Sequence, residues 1–157
     1  MVSKIFLDDN KNEHVLEDVS KAKFRPGVYV LVKDFEDRVM LILNGGSGKW
    51  EIPGGGLEIG EDINECGIRE VKEETGYDIL IDESPFLIEK DLSYVPSGFE
   101  HCINFFYTGK LKEEKRGDQS FVEGEEILKV KFFSIDELKD LDICFWHENA
   151  IKAFLEK

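Results

Sequence analysis

The 157 residues fit one folded domain with room for a buried core, and an apolar share of 41% suits a globular fold. A formal net charge of -14 argues against sequence-independent contact with a nucleic-acid backbone, which needs a basic patch. It does not exclude a phosphate-bearing small molecule, because bound cations invert the local field. No run of 18 apolar residues and no basic-then-apolar leader occurs, so neither a membrane span nor a secretory signal is predicted. Cys66, Cys102 and Cys144 are widely spaced and form no CxxC pair, which predicts buried, reduced thiols and a cytoplasmic protein.

Residues 1–24 read as a short hairpin, Lys4 to Leu7 and His14 to Leu16 flanking the turn-rich Asp8-Asp9-Asn10-Lys11-Asn12. No residue there carries chemistry; the hairpin is an edge addition to the domain of residues 25–157, or a partner surface. Val28 to Val32 and Arg38 to Leu43 are dense in β-branched and large apolar residues and predict two strands. The glycine-rich Asn44 to Gly48 predicts a loop just ahead of Trp50.

Pro53 followed by Gly54-Gly55-Gly56 predicts an irregular backbone that lets main-chain groups approach closely. A helix is expected from about Asp62 to Thr75, with Asp62 as N-cap and Gly76 as C-terminal stop. Its apolar stripe is Ile63, Cys66, Gly67 and Val71, and Gly67 costs about 1 kcal/mol against alanine in a helix interior. Beyond it, Ile79 to Ile81, Phe86 to Glu89 and His101 to Leu111 read as strands, with Lys90 to Glu100 as a loop. Lys112 to Val122 is loop-like, Leu128 to Phe133 a strand, Ser134 to Glu137 a capping box, and about His147 to Leu155 an amphipathic helix burying Ile151 and Phe154. Strands alternating with two helical segments predict an α/β sandwich.

Glu70, Glu73 and Glu74 stand at i, i+3 and i+4, so three carboxylates share one helical face. Like charges so spaced repel, and the triplet alone reads either as a ligand set for a hard divalent cation or as a solvated acidic face. The surrounding pattern decides between them. Gly55, five residues, Glu61, seven residues, Arg69-Glu70-Val71, one residue, Glu73-Glu74, one residue and Gly76-Tyr77 resembles the signature of the Nudix hydrolases at every position. A chance match in so acidic a chain is on the order of 10^-5. The lead-in Trp50-Glu51-Ile52-Pro53-Gly54 also looks like the strand and turn that precede this box.

The resemblance implies a mixed sheet between helices, an α/β/α sandwich, and hydrolysis of a nucleoside diphosphate linked to another moiety. It implies Mg2+, or Mn2+, on Glu70, Glu73 and Glu74, with Arg69 paired to Glu61 to hold the ligand loop. Glu126 is the candidate fourth metal carboxylate, with Glu123 and Glu125 as close rivals. For substrate, Gly54 and Gly55 bring the backbone to the site, Trp146 and Asn149 sit where some nucleotide-sanitising relatives read the base, and Tyr94 lies 17 residues past the box as in dinucleoside polyphosphate hydrolases. The favoured substrate is a nucleoside triphosphate or an oxidised one such as 8-oxo-dGTP, yielding a monophosphate. Dinucleoside polyphosphate, ADP-ribose or nucleotide-sugar hydrolysis, and a non-catalytic nucleotide sensor, are the alternatives. The expected partner is a small nucleotide, not a nucleic-acid polymer or a membrane; a homodimer is left open.

Overall fold

The computed structural model describes residues 1–157. Its strands are β1 (Lys4–Leu7), β2 (Glu13–Leu16), β3 (Lys23–Lys33), β4 (Val39–Asn44), β5 (Trp50–Glu51), β6 (Gly54–Gly56), β7 (Ile79–Ile81), β8 (Leu87–Val95), β9 (Gly98–Leu111) and β10 (Ile127–Phe133). The helices are α1 (Ile63–Thr75) and α2 (Phe145–Leu155). One mixed sheet runs β10-β4-β3-β9-β8-β1-β2, with β5, β6 and β7 as short branches on β4, β3 and β9. No helix is long and apolar enough to cross a membrane.

The central pair is β3 and β9, parallel from Lys23 opposite Glu100 to Lys33 opposite Lys110. Because side chains alternate along a strand, β3 feeds two cores at once. Val28, Val30 and Val32 pack toward α1 with Cys66, Val71, Ile79 and Tyr107. Leu31 packs the other way with Phe106, Ala150 and Ile151 of α2. The sheet therefore lies between the two helices, which makes this an α/β fold with a mixed sheet.

Helix α1 forms where its local signals place it. The Asp62 side chain accepts the Asn64 N–H at 2.9 Å, Glu65 reaches back to the Asp62 N–H, and Gly76 stops the helix at φ 76°. Gly67 has its reason in packing: a Cβ there would fall 2.9 to 3.2 Å from Ile81, Val30 and Val28. The helix approaches the sheet too closely for a larger residue.

Several expectations are corrected. Gly54–Gly56 is a strand, antiparallel to Gly27–Tyr29 of β3, because glycine main chain pairs as well as any other. Lys90 to Glu100 is a β-hairpin, with Val95 opposite Gly98 across a Pro96-Ser97 turn, whose alternating charges hid the strand. The segment after Ser134 forms only a 3-10 turn at Glu137–Asp140, although Ser134 and Glu137 do exchange capping hydrogen bonds. α2 begins two residues earlier than expected, at Phe145.

Candidate active site

The carboxylates of α1 are organised by Arg69. Its Nε donates to Glu61 Oε1 at 2.6 Å and a terminal nitrogen to Glu61 Oε2 at 2.9 Å, a two-pronged pair across the 56–61 loop. The same guanidinium reaches Glu70 at 2.9 Å, Glu73 at 3.2 Å and the Gly56 carbonyl at 3.2 Å. Arg69 holds the Glu61 carboxyl down at about 2. One side chain thus ties the loop after β6 to the acidic face of α1.

Glu74 is the exception. No cation touches it, and its Oε2 accepts only the Gly54 N–H, at 2.9 Å. Burial, with Glu70, Glu51 and Glu73 adding like charge, pushes its carboxyl up to about 8 against the Gly54 bond. Three carboxylates, Glu61, Glu70 and Glu73, share the one guanidinium of Arg69, and Glu74 stands apart from it. As arranged, no three carboxylate, imidazole or thiol groups converge to enclose an ion, because Arg69 draws Glu61, Glu70 and Glu73 toward itself. The donor set is nevertheless all oxygen, as a hard divalent cation requires, and no cationic side chain pairs with the half-buried Glu74.

Strand β6 supplies the close approach. A Cβ on Gly55 would lie 2.7 Å from the Glu70 carboxylate. Gly54 sits at φ 153°, and a Cβ there would lie 2.2 Å from the Val28 carbonyl oxygen.

Beside Glu74 and Gly54 opens a cavity of about 260 Å³ walled by β3, β9, α2 and the N-terminal turn. Arg25, Tyr29, Glu51, Glu100, Asn104, Trp146 and His147 give it its polar character. His147 is buried, accepts the Ile52 N–H on Nδ1 at 3.1 Å, and packs edge-on against Tyr29 and Phe106. Burial pulls its imidazole down to about 3, so it is neutral at pH 7. Burial likewise pushes the Tyr29 phenol up to about 12.

The expected site residues distribute as follows. Glu61, Arg69, Glu70, Glu73, Glu74, Gly54 and Gly55 form one contiguous group. Trp146 lines the cavity, but Asn149 is exposed and donates to Glu89 at 3.1 Å. Tyr94 stacks on His14 at 4.0 Å, outside the cavity lining. Glu123 is engaged with the Val130 N–H and Arg116; Glu125 and Glu126 are exposed beside Gly45, whose N–H bonds the Glu126 carbonyl at 2.8 Å. No hydrogen bond or ion pair joins any of these three to α1. Arg25, Glu51, Glu100, Asn104 and His147 escaped the sequence reading; only Glu51, inside the quoted lead-in, had a local signal.

With fold and site in view, the sequence matches the NUDIX domain model over residues 23–154, and the chain belongs to that family. It is 39% identical over 67 residues to the nucleoside triphosphatase NudI of Escherichia coli K12, a stretch covering 42% of this chain and 44% of NudI. The matched stretch thus spans less than half of that relative's length. Among solved structures, the MutT protein of Methanosarcina mazei Go1 superposes with a TM-score of 0.66 at 18% identity, covering 85% of this chain and 94% of that one. A NUDIX hydrolase from Nitrosomonas europaea gives 0.66 at 24% identity, over 84% and 86%. These two share the fold.

Proposed function

We propose that this protein hydrolyses a phosphoric anhydride of a nucleoside triphosphate, ordinary or oxidised, releasing the monophosphate, with Mg2+ or Mn2+ as the working ion. The observation that carries the reading is that Glu70, Glu73 and Glu74 share one helix and that the last of them, Glu74, lines a cavity of about 260 Å³. That volume is below the range for drug-sized ligands and suits one nucleobase. Similarity to NudI, whose name is nucleoside triphosphatase, supports the same substrate class.

Glu70, Glu73 and Glu74 would hold the ion, with Glu126 the candidate fourth ligand from the approach to β10. When bound, the ion neutralises the phosphates and activates water for attack on phosphorus. The chain's own residues do the positioning. Arg69 clamps Glu61 and Gly56, fixing the loop between β6 and α1 against the helix carboxylates. Gly55 leaves room for the Glu70 carboxylate, and the Gly54 N–H orients Glu74. Neutral His147 adds no positive charge to a cavity wall that already holds Asp9, Arg25, Glu51 and Glu100.

The test is a product analysis with Mg2+ and a panel of 8-oxo-dGTP, common nucleoside triphosphates, a dinucleoside polyphosphate, ADP-ribose and a nucleotide sugar. Conversion of a triphosphate to its monophosphate is expected, with turnover down at least about a hundredfold in Glu73→Gln, whose side chain is largely exposed so that the fold survives. Normal metal-dependent turnover in that variant would remove Glu73 from the ligand set. Binding without conversion of any panel member would replace the enzyme by a sensor.

A further inference from the structure

The N-terminal hairpin lies ahead of the family-matched residues, yet it reaches the cavity. Asp9 at its tip lines the cavity and accepts the Trp146 indole N–H on Oδ1 at 3.1 Å. Lys11 pairs with Glu148 at 3.6 Å and stands over the Phe145 ring at 5.4 Å, so the tip is fastened to the first turns of α2. The turn is internally braced. Asp8 accepts the Asn10 and Asn12 N–H groups at 2.9 Å and His14 Nε2 at 2.9 Å, and His14 stacks on Tyr94. The hairpin tip is therefore fastened to α2 and braced within its own turn.

The chemistry of the cavity wall is one-sided. Asp9, Glu51, Glu74 and Glu100 all line the cavity, against a single guanidinium, Arg25, which is itself 3.8 Å from Glu100. Such a lining offers carboxyl oxygens that accept from hydrogen-bond donors. Asp9 Oδ2 has no partner within the chain and remains an acceptor.

We propose that the hairpin is part of the substrate pocket and that Asp9 selects a nucleobase carrying an exocyclic amino group, a selection that rests on the proposed nucleotide chemistry of this site. A carboxylate beside the base accepts from an amine and repels a keto oxygen, whereas an amide whose oxygen stays on the Trp146 N–H turns its NH2 toward the base and favours the keto oxygen. A site built to hydrogen-bond one group rejects the analogue that lacks it.

The experiment is calorimetric binding of two matched monophosphate pairs, AMP with IMP and CMP with UMP, in the presence of Mg2+. The full chain, Asp9→Ala and Asp9→Asn are compared, and turnover of the matching triphosphates is followed in parallel. The natural chain is expected to prefer the amino member of at least one pair about tenfold. Asp9→Ala should bring the two members within about twofold, and Asp9→Asn should shift the preference toward the keto member. An unchanged ratio in Asp9→Ala, equal binding of both members by the natural chain, or no binding of any monophosphate would overturn the proposal. Base-selective binding that depends on Asp9, without turnover of any triphosphate, would uphold the pocket wall and reject only the hydrolytic reading.

Discussion

Replacing Gly55 by alanine separates the catalytic geometry from the fold. The added Cβ would stand 2.7 Å from the Glu70 carboxylate, whereas ordinary contact begins near 3.4 Å. The carboxylate must therefore retreat by roughly 0.7 Å, and it can, because it ends a flexible side chain. Misplacing a group at the reacting centre by about 1 Å costs on the order of 100-fold, so kcat/KM should fall by about 30- to 100-fold. The strand itself has no clash with backbone at this position, and the thermal midpoint should move by only a few degrees, about 1 kcal/mol or less. Gly54→Ala is the counter-case: its Cβ would meet the Val28 carbonyl at 2.2 Å and the Tyr29 Cα at 2.6 Å, with φ at 153°. Backbone cannot step aside, and a loss of about 3 kcal/mol is expected. Steady-state hydrolysis and thermal denaturation by circular dichroism would be run on both variants. Wild-type kcat/KM in a folded Gly55→Ala protein would refute the claim that this glycine exists to seat Glu70.

His147 predicts an acid-sensitive fold: its imidazole sits near 3 in the folded state against 6.5 when exposed, so the unfolded chain binds the extra proton between those values. That stability is complete above pH 6.5 and lost as pH falls toward 3; at pH 5 the loss is about 2 kcal/mol. Urea titrations at pH 7.5 and pH 5 should show His147→Asn, which can still accept from Ile52, with a pH dependence shallower by about that amount. Equal slopes would mean that the histidine does not carry the linkage. Arg69→Lys should lower kcat by about 10-fold or more, because one ammonium cannot span both Glu61 oxygens together with Glu70, Glu73 and Gly56. Full activity in that variant would show that the fork is dispensable.

What the sequence determined by itself is what local rules govern. α1 was legible to within a residue because its cap, its apolar stripe and its terminal glycine are all decided within a few residues. The α/β class and most strands followed from periodicity, and the acidic face of α1 from spacing alone. The tertiary structure decided everything that depends on residues far apart in the chain. Gly54–Gly56 has no side chains to announce a strand, and becomes one only because β3 offers its hydrogen-bonding edge. The reason for Gly67 appears only when Ile81, Val30 and Val28 are packed against it. The cavity is assembled from Asp9, Arg25, Glu51, Glu100, Asn104, Trp146 and His147, and no local pattern links a turn at residue 9 to a helix at residue 146. Main-chain pairing and burial are properties of the folded sheet, so the electrostatics of the pocket, including the raised Glu74 and lowered His147, come into being only when the chain has closed around them.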